Sequence, residues 1–181
     1  MELSPKAHEI LDVAEDMARR GGYGGFSFRD IADAVGIKSA SVHYHFKTKP
    51  DLGVALVERY TDRFIDGLGD PADPDTPAEH KVRAYIAAFR TALHDEGLMC
   101  LCGIFGAESA GLPEAVAKKS REFFTRNCAW LETALEGHDA HTSEAARRQA
   151  ALLLIARLEG AMLMARSLGD LSVFDTIAEA D

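Results

Sequence analysis

Apolar side chains recur every three or four residues along most of the chain, and this spacing predicts amphipathic α-helices. The first such run follows Ser4-Pro5 and ends at Gly21-Gly22. Serine followed by proline is typical of a helix start and glycine of a helix end, so we expect a helix over about 4–20. No segment shows the strict alternation of a half-buried strand. The pattern predicts an all-α fold.

Two short helices are expected next, joined by a tight turn. Ser27 with Asp30 has the spacing of a capping box, which predicts a second helix from Phe28 to about Ala34. Gly36 can adopt the positive φ of a tight turn, and a third helix is expected over about 39–46. Such a pair of helices is a helix-turn-helix, a motif that places its second helix in the major groove of DNA.

Longer helices follow. Thr48 with Asp51 and Thr76 with Glu79 have the spacing of further capping boxes, on either side of a loop rich in Gly, Pro and Asp over 67–76. Further helices are expected over about 99–108, 113–136, 143–168 and 171–180, with a loop over 137–142. We expect a helix-turn-helix DNA-binding domain over 1–48 and a larger helical domain over 49–181.

The helix expected over 143–168 is apolar on more than one side between Ala150 and Ala165. A helix that packs on a single core needs only one apolar stripe, so the additional apolar surface predicts contact with a second copy of the chain. We expect a homodimer in which the long C-terminal helices of the two subunits form a four-helix bundle.

The charge distribution changes how the acidic balance is interpreted. The formal net charge is -9, but residues 1–50 contain seven Lys and Arg and seven Asp and Glu, so the excess acid lies after residue 50. The stretch 34–50 has no acidic residue and contains Lys38, Lys47 and Lys49. This local balance favours contact with DNA phosphates.

Targeting and disulfide signals are weak. Residues 1–10 lack the apolar core of a signal peptide, and the longest apolar run is too short to span a bilayer, so we expect a cytoplasmic protein without membrane contact. The three cysteines, Cys100, Cys102 and Cys128, do not indicate a disulfide framework.

The segment from Ile10 to Leu56 resembles the TetR family of one-component repressors. It has the family's amphipathic first helix, Gly-Tyr, a Ser cap, Asp-Ile-Ala, a Gly turn and a recognition helix that ends in His-Phe-x-x-Lys. Within it, His43 stands where the family usually has Tyr, and Ala40 stands where Gly is common. The resemblance implies a double-stranded DNA operator, a small organic effector and a dimer.

The resemblance also assigns residues. Those implied to face the major groove or its phosphates are Lys38, Ser39, Ala40, Ser41, His43 and Tyr44, with His45 seating the helix and Lys49 meeting a phosphate. At the start of the second helix, Ser27 and Arg29 are further candidates for the DNA contact.

An apolar effector pocket is expected in the larger domain, where aromatic residues lie on helices that would surround one cavity. The candidate effector-binding residues are Phe64, Tyr85, Phe89, Cys100, Cys102, Phe105, Glu108, Phe124, Cys128 and Trp130. Arg90 and Arg126 are additional candidate polar anchors. The stretch around Cys100 and Cys102 resembles weakly the electrophile-responsive branches of the family, so a reactive cysteine sensor and a buried structural cysteine both stay open.

Catalytic and metal sites are not indicated. The sequence contains no paired-carboxylate or nucleophile and base constellation, so we expect neither an enzyme nor a cofactor. His138 and His141 lack a third nearby ligand, and we interpret them as loop residues rather than as a metal site. A helical small-molecule-binding protein without a DNA role is the remaining alternative.

Overall fold

The computed structural model describes residues 3–136 and 143–179, and in those residues it is helical without β-strands, as predicted. The short 3-10 turns Tyr23–Gly25 and Ser109–Gly111 accompany the α-helices. The predicted loop at 137–142, with His138 and His141, lies outside the described residues. The helices are α1 Pro5–Gly21, α2 Phe28–Val35, α3 Ser39–His45, α4 Lys49–Leu68, α5 Ala78–His94, α6 Leu101–Ala107, α7 Glu114–Ala134, α8 Glu144–Leu168 and α9 Ser172–Ala178.

The chain divides into two compact units. The first comprises Met1–Thr61 with Leu101–Phe123, and the second comprises Asp62–Cys100 with Phe124–Asp181. The first unit therefore contains α1 to α3, the beginning of α4, α6 and the beginning of α7. Segments distant in sequence fold together in each unit.

In the first unit, α1 to α3 share a small apolar core. Ile10, Ile31 and Val42 are each fully buried. Arg59 of α4 holds α1 through ion pairs to Asp12 at 2.8 Å and to Glu15 at 3.2 Å, and donates to a backbone carbonyl of α1 at 3.2 Å. Arg59 and Glu15 are largely buried, and their ion pair joins the middle of α4 to α1.

The predicted capping boxes have different outcomes. The one at Ser27 is confirmed, since its hydroxyl accepts from the Asp30 N–H at 3.3 Å and the Asp30 carboxylate accepts from the Ser27 N–H at 2.8 Å. The corresponding exchange between Thr48 and Asp51 is also present, at 3.2 and 3.0 Å. The prediction for Thr76 is wrong.

Thr76 does not cap α5, because the helix starts one residue later than its spacing requires. Pro77 occupies the cap position without a side-chain hydrogen bond. The Thr76 hydroxyl instead donates to the Asp73 carboxylate at 2.6 Å and closes the preceding loop. Proline has a fixed φ and lacks an N–H, so it fits at a helix start but removes the donor that a capping box uses.

The second unit is built around α5, α8 and α9. Tyr85, Phe89, Leu158 and Phe174 are buried in it. On its surface, Arg90 of α5 forms a bidentate pair with Asp175 of α9, with distances of 2.8 and 3.2 Å.

One face of α8 remains apolar and exposed. Leu153, Leu163 and Leu168 are 63%, 61% and 65% exposed, and Leu152 and Met164 are each 49% exposed. The opposite face of the helix is buried, so α8 carries more apolar surface than the core of its own unit covers. Among the described residues, no helix is long and apolar enough to cross a membrane.

Candidate functional site

The helix α3 is anchored by two apolar residues and introduced by a tight turn. Val42 is fully buried and Phe46, directly after the helix, is 5% exposed. Gly36 ends α2 in the left-handed region, at φ 73° and ψ 34°, and its N–H bonds back to carbonyls of α2. A side chain with a Cβ would strain this turn, which is why glycine suits the position.

The side of α3 away from these anchors is exposed. Lys38, Ala40, His43 and Tyr44 are exposed, whereas Ser39, Ser41 and His45 are half-buried. Tyr44 is 76% exposed, the highest fraction among the described large apolar side chains that lie exposed. Small residues at the start of the helix allow close approach to a partner, and Tyr44 projects from the same surface.

Lys47 adds to this surface, although the site residues predicted from the sequence do not include it. It is exposed just after α3, with its ammonium 5.9 Å from the centre of the Tyr44 ring. The signal that could have found it is the acid-free stretch 34–50, in which it is one of three lysines.

The two histidines of α3 face different neighbours. The His43 ring packs edge-on against Phe28 of α2, with centroids 4.6 Å apart. The His45 Nδ1 lies 3.5 Å from the hydroxyl of Ser4, the residue that caps α1. These contacts hold α3 against α1 and α2, and they leave Tyr44 as the aromatic side chain that projects most freely from the helix.

At the start of α2, Ser27 and Arg29 are both exposed, but they differ in how far contacts within the protein already use their polar groups. The Ser27 hydroxyl is used in the capping box, and those hydrogen bonds also lower the pKa of the Asp30 carboxyl. Arg29 has an 86% exposed side chain and makes a long contact of 3.9 Å to Asp33. Exposed ion pairs of this kind contribute little, so Arg29 can turn toward another anion.

The ammonium of Lys49 is engaged inside the protein. It donates to the Phe26 carbonyl at 2.6 Å and lies 4.4 and 4.6 Å from the ring centres of Phe26 and Tyr23. Burial lowers the pKa of Lys49, against the charges of Asp30 and Glu108, which raise it. The lysine expected to meet a phosphate therefore stabilises the loop before α2.

Glu108 contacts the same loop. Its carboxylate accepts from the Tyr23 N–H at 2.8 Å and lies against Gly22, where the Cβ of any larger residue would be 2.0 Å from Oε1. The Tyr23 ring also meets Phe105 edge-on, at 5.7 Å. Glu108 and Phe105 were expected to contact an effector, and both lie in the first unit against this loop.

Cys102 also belongs to the first unit, and its backbone carbonyl accepts from the Ser120 hydroxyl at 3.4 Å. Seven of the ten candidate effector residues lie in the second unit, where Phe64 and Phe124 are half-buried and the others are buried. They are Phe64, Tyr85, Phe89, Cys100, Phe124, Cys128 and Trp130.

Four of those seven form a continuous aromatic cluster. The Tyr85 ring is 5.5 Å from Phe89, 5.7 Å from Phe64 and 6.0 Å from Trp130, with which it is stacked. The Trp130 indole N–H donates to the Gly69 carbonyl at 2.9 Å, which leaves its ring within the cluster.

Polar groups accompany these rings. The Tyr85 hydroxyl donates to Asn127 Oδ1 at 2.8 Å, and both residues are fully buried. Burial raises the pKa of Tyr85 well above its usual value, and the nearby Cys100 and, on α8, Glu159 raise it further. The Glu159 carboxyl is hydrogen-bonded to the Cys100 side chain. Burial raises the pKa of Glu159 to about 7, against the hydrogen bond from Cys100, which lowers it.

Sequence reasoning missed Glu159. Its signal is an acidic residue in the stretch from Ala150 to Ala165, where Arg157 is the other charged residue. The anchors suggested instead, Arg90 and Arg126, are exposed and paired with Asp175 and Asp62, at 2.8 and 2.6 Å.

All three cysteines lie in the described part of the chain. Cys100, Cys102 and Cys128 are buried and none forms a disulfide. Burial is the largest influence on Cys128 and raises the pKa of its thiol. A buried thiol with a raised pKa is a poor nucleophile. Across residues 3–136 and 143–179, no group of three His, Cys, Asp or Glu residues is arranged to hold a metal ion.

Comparison with known proteins agrees with this architecture. Residues 10–56 match the family described as bacterial regulatory proteins, tetR family. Residues 77–180 match the family described as transcriptional regulator LmrA/YxaF-like, C-terminal domain.

Two solved structures resemble the whole chain. A TetR transcriptional regulator from Legionella pneumophila is 34% identical with a TM-score of 0.89, covering 98% of this chain and 96% of that one. A TetR family regulator from Agrobacterium tumefaciens is also 34% identical, with a TM-score of 0.87 and coverage of 96% and 93%.

Curated relatives match over a shorter stretch. The transcriptional repressor KstR2 of Mycobacterium tuberculosis is 28% identical over 94 residues, which are 51% of this chain and 47% of that protein. The chain spans about half the length of the curated relatives it matches. The named relatives regulate transcription and are not enzymes, and the matches to the family models and solved structures extend over most of the chain. The protein is a transcriptional regulator and belongs to the TetR family.

Proposed function

We propose that the protein is a ligand-responsive repressor that binds a palindromic operator as a dimer and is released from it by a small organic effector. Residues 1–48 would form the DNA-binding domain, and residues 49–181 would bind the effector and dimerise. The observation that carries the DNA role is the exposed side of α3, from which Tyr44 projects while Val42 and Phe46 fix the helix from behind.

Direct contacts to bases are assigned to the start and the exposed face of α3. Ser39, Ala40 and Ser41 are small enough for the helix to approach base edges, and Tyr44 extends beyond them. Lys38, Lys47 and Arg29 are exposed cations for phosphates. For His43, His45, Ser27 and Lys49, the contacts within the protein support a role in positioning α2 and α3.

The dimer is assigned to α8. Its exposed leucines at 153, 163 and 168 form the apolar face that a second copy would cover. A two-fold dimer would present two α3 helices to half-sites about 34 to 36 Å apart, one turn of DNA. An effector would act by favouring a spacing of the two DNA-binding domains that no longer fits the operator.

A reactive-cysteine sensor gains no support from the buried thiols, and the exposed basic surface favours a DNA-binding role over a helical carrier without one. The repressor assignment rests on the family and on relatives such as KstR2, which is named a repressor.

The experiment is an operator selection from a random duplex library, followed by fluorescence anisotropy with the full chain at several salt concentrations. We expect Tyr44→Ala to weaken specific binding by about 5-fold to 150-fold, equivalent to about 1 to 3 kcal/mol for a base contact. Lys38→Ala should reduce the slope of log affinity against log salt by about 0.9.

Arg83→Ala is the matched control, because Arg83 is an exposed arginine on α5 whose side chain is 66% accessible. It should leave affinity and slope unchanged. Failure to enrich any palindromic sequence, or equal effects of Tyr44→Ala and Arg83→Ala, would contradict the proposed DNA role.

A further inference from the structure

Glu159 places a carboxyl group in the apolar interior of the second unit. The residue as a whole is half-buried, but its Oε1 atom is shielded from solvent and has no hydrogen-bond partner. Removing such a group from water without a partner costs free energy, because hydration is lost and nothing replaces it. An unsatisfied acceptor of this kind calls for a specific explanation.

The neighbouring donors are already used. The Cys100 side chain has a single S–H, which serves the hydrogen bond to the Glu159 carboxyl. The Tyr85 hydroxyl has a single O–H, which is given to Asn127 Oδ1 at 2.8 Å. Among residues 3–136 and 143–179, no hydrogen-bond donor reaches the Oε1 atom of Glu159 in this polar cluster.

Aromatic rings border the cluster through Tyr85. Its ring stacks on Trp130 at an interplanar angle of 27° and lies at 39° to Phe89. The faces of such rings attract cations, and an acidic group beside aromatic rings is the chemistry that recognises an organic ammonium.

We propose that Glu159 is the polar recognition point of the effector site, and that the effector is a small, largely apolar molecule carrying a protonated amine. This rests on the proposed function in assuming that an effector exists. An ammonium supplies both the missing donor and a compensating charge, and its apolar body would pack against the rings of Tyr85, Phe89 and Trp130. A neutral alcohol supplies only a donor, and an anion would be repelled by the carboxylate.

The test ranks three probes of equal length, 4-phenylbutylamine, 4-phenylbutan-1-ol and 4-phenylbutanoate, by calorimetry with the full chain in the absence of DNA. It is run at pH 8, because burial raises the pKa of the Glu159 carboxyl to about 7 and the group is mostly ionised only above that pH. We expect the amine to bind at least about tenfold more tightly than the alcohol, with the carboxylate weakest. Glu159→Gln should reduce the preference for the amine over the alcohol to about twofold or less.

Glu79→Gln is the matched control, since Glu79 is a solvent-exposed glutamate on α5 with a 74% accessible side chain. It should leave the ranking unchanged. If Glu159→Gln does not fold, as judged by circular dichroism, Glu159→Leu fits the apolar surroundings of the site and takes its place.

Three results would overturn the assignment. These are an amine that does not bind, an alcohol or carboxylate that binds as tightly as the amine, and a preference that survives removal of the Glu159 carboxylate. Operator binding is measured separately. If the protein binds amines but no operator, the amine site is supported and the proposed function is contradicted. If alcohols or carboxylates alone release the protein from the operator, the proposed function is supported and the amine site is contradicted.

Discussion

Replacing Glu159 by glutamine should stabilise the protein in a pH-dependent way. Burial raises the pKa of this carboxyl from 4.5 to about 7. In the unfolded chain the group releases its proton near pH 4.5, whereas in the folded protein it keeps the proton until about pH 7. The free energy of unfolding therefore falls as the pH rises between these two values and stays lowered above them.

The magnitude follows from the size of the shift. One pKa unit corresponds to about 1.4 kcal/mol, so the ionised carboxyl costs up to about 3 kcal/mol at pH 8. Glutamine keeps the shape of the side chain and cannot ionise, although its amide needs partners of its own, which offsets about 1 kcal/mol. We expect Glu159→Gln to be more stable than the wild type by about 1 to 2 kcal/mol at pH 8, with no such gain near pH 4.5.

The assay is urea unfolding at a fixed protein concentration across pH 4.5 to 8, because dimerisation makes stability depend on concentration. The quantity of interest is the difference between variant and wild type, since the other titrating groups are common to both. Tyr85 stays neutral over this range because burial raises its pKa well above the usual value. Parallel pH profiles for Glu159→Gln and the wild type would refute the reasoning.

Three further outcomes are expected. Lys49→Ala should lower the free energy of unfolding, measured in urea, by about 1 to 2 kcal/mol, because the variant loses two ring contacts and a hydrogen bond. It should also change the salt slope of DNA binding less than Lys38→Ala does. The opposite ranking of the two slopes would show that Lys49 acts on phosphate. Gly22→Ala should lower the free energy of unfolding by about 2 to 3 kcal/mol, because φ is 73° and ψ is -171° and the new Cβ would collide with the Glu108 carboxylate. Adding Glu108→Ala should relieve the collision but not the backbone strain, and a double-mutant cycle would measure the difference. Leu163→Glu should shift sedimentation velocity from dimer to monomer while Arg83→Glu does not, and an intact dimer would exclude this face of α8.

Local signals in the sequence predicted most of the fold. Capping residues such as Ser27 and Thr48 act on N–H groups within three positions, so their spacing alone predicts where α2 and α4 begin. The same reasoning failed at Thr76, because the loop offered Asp73 as a competing partner for its hydroxyl and Pro77 itself took the cap position.

The site was less predictable, because the decisive contacts join residues far apart in the chain. The exposure of Tyr44 follows from the helical spacing of its buried neighbours Val42 and Phe46. By contrast, the hydrogen bond from the Lys49 ammonium to the Phe26 carbonyl and the position of Glu159 beside Cys100 depend on how the helices pack. A sequence shows that a lysine follows α3, but it does not show which acceptor its flexible side chain meets.

The hydrogen bond from the Tyr23 N–H to Glu108 has a consequence for building chimeric regulators. The loop before α2 is held by a side chain 85 positions later, and Gly22 leaves room for that carboxylate. Exchanging only residues 1–48 between relatives would pair this loop with whatever the recipient carries at position 108. A residue there without an acceptor oxygen would leave the Tyr23 N–H without its partner, and a bulkier residue would collide with the loop. A chimera that receives residues 1–48 of this protein should therefore also receive Glu108.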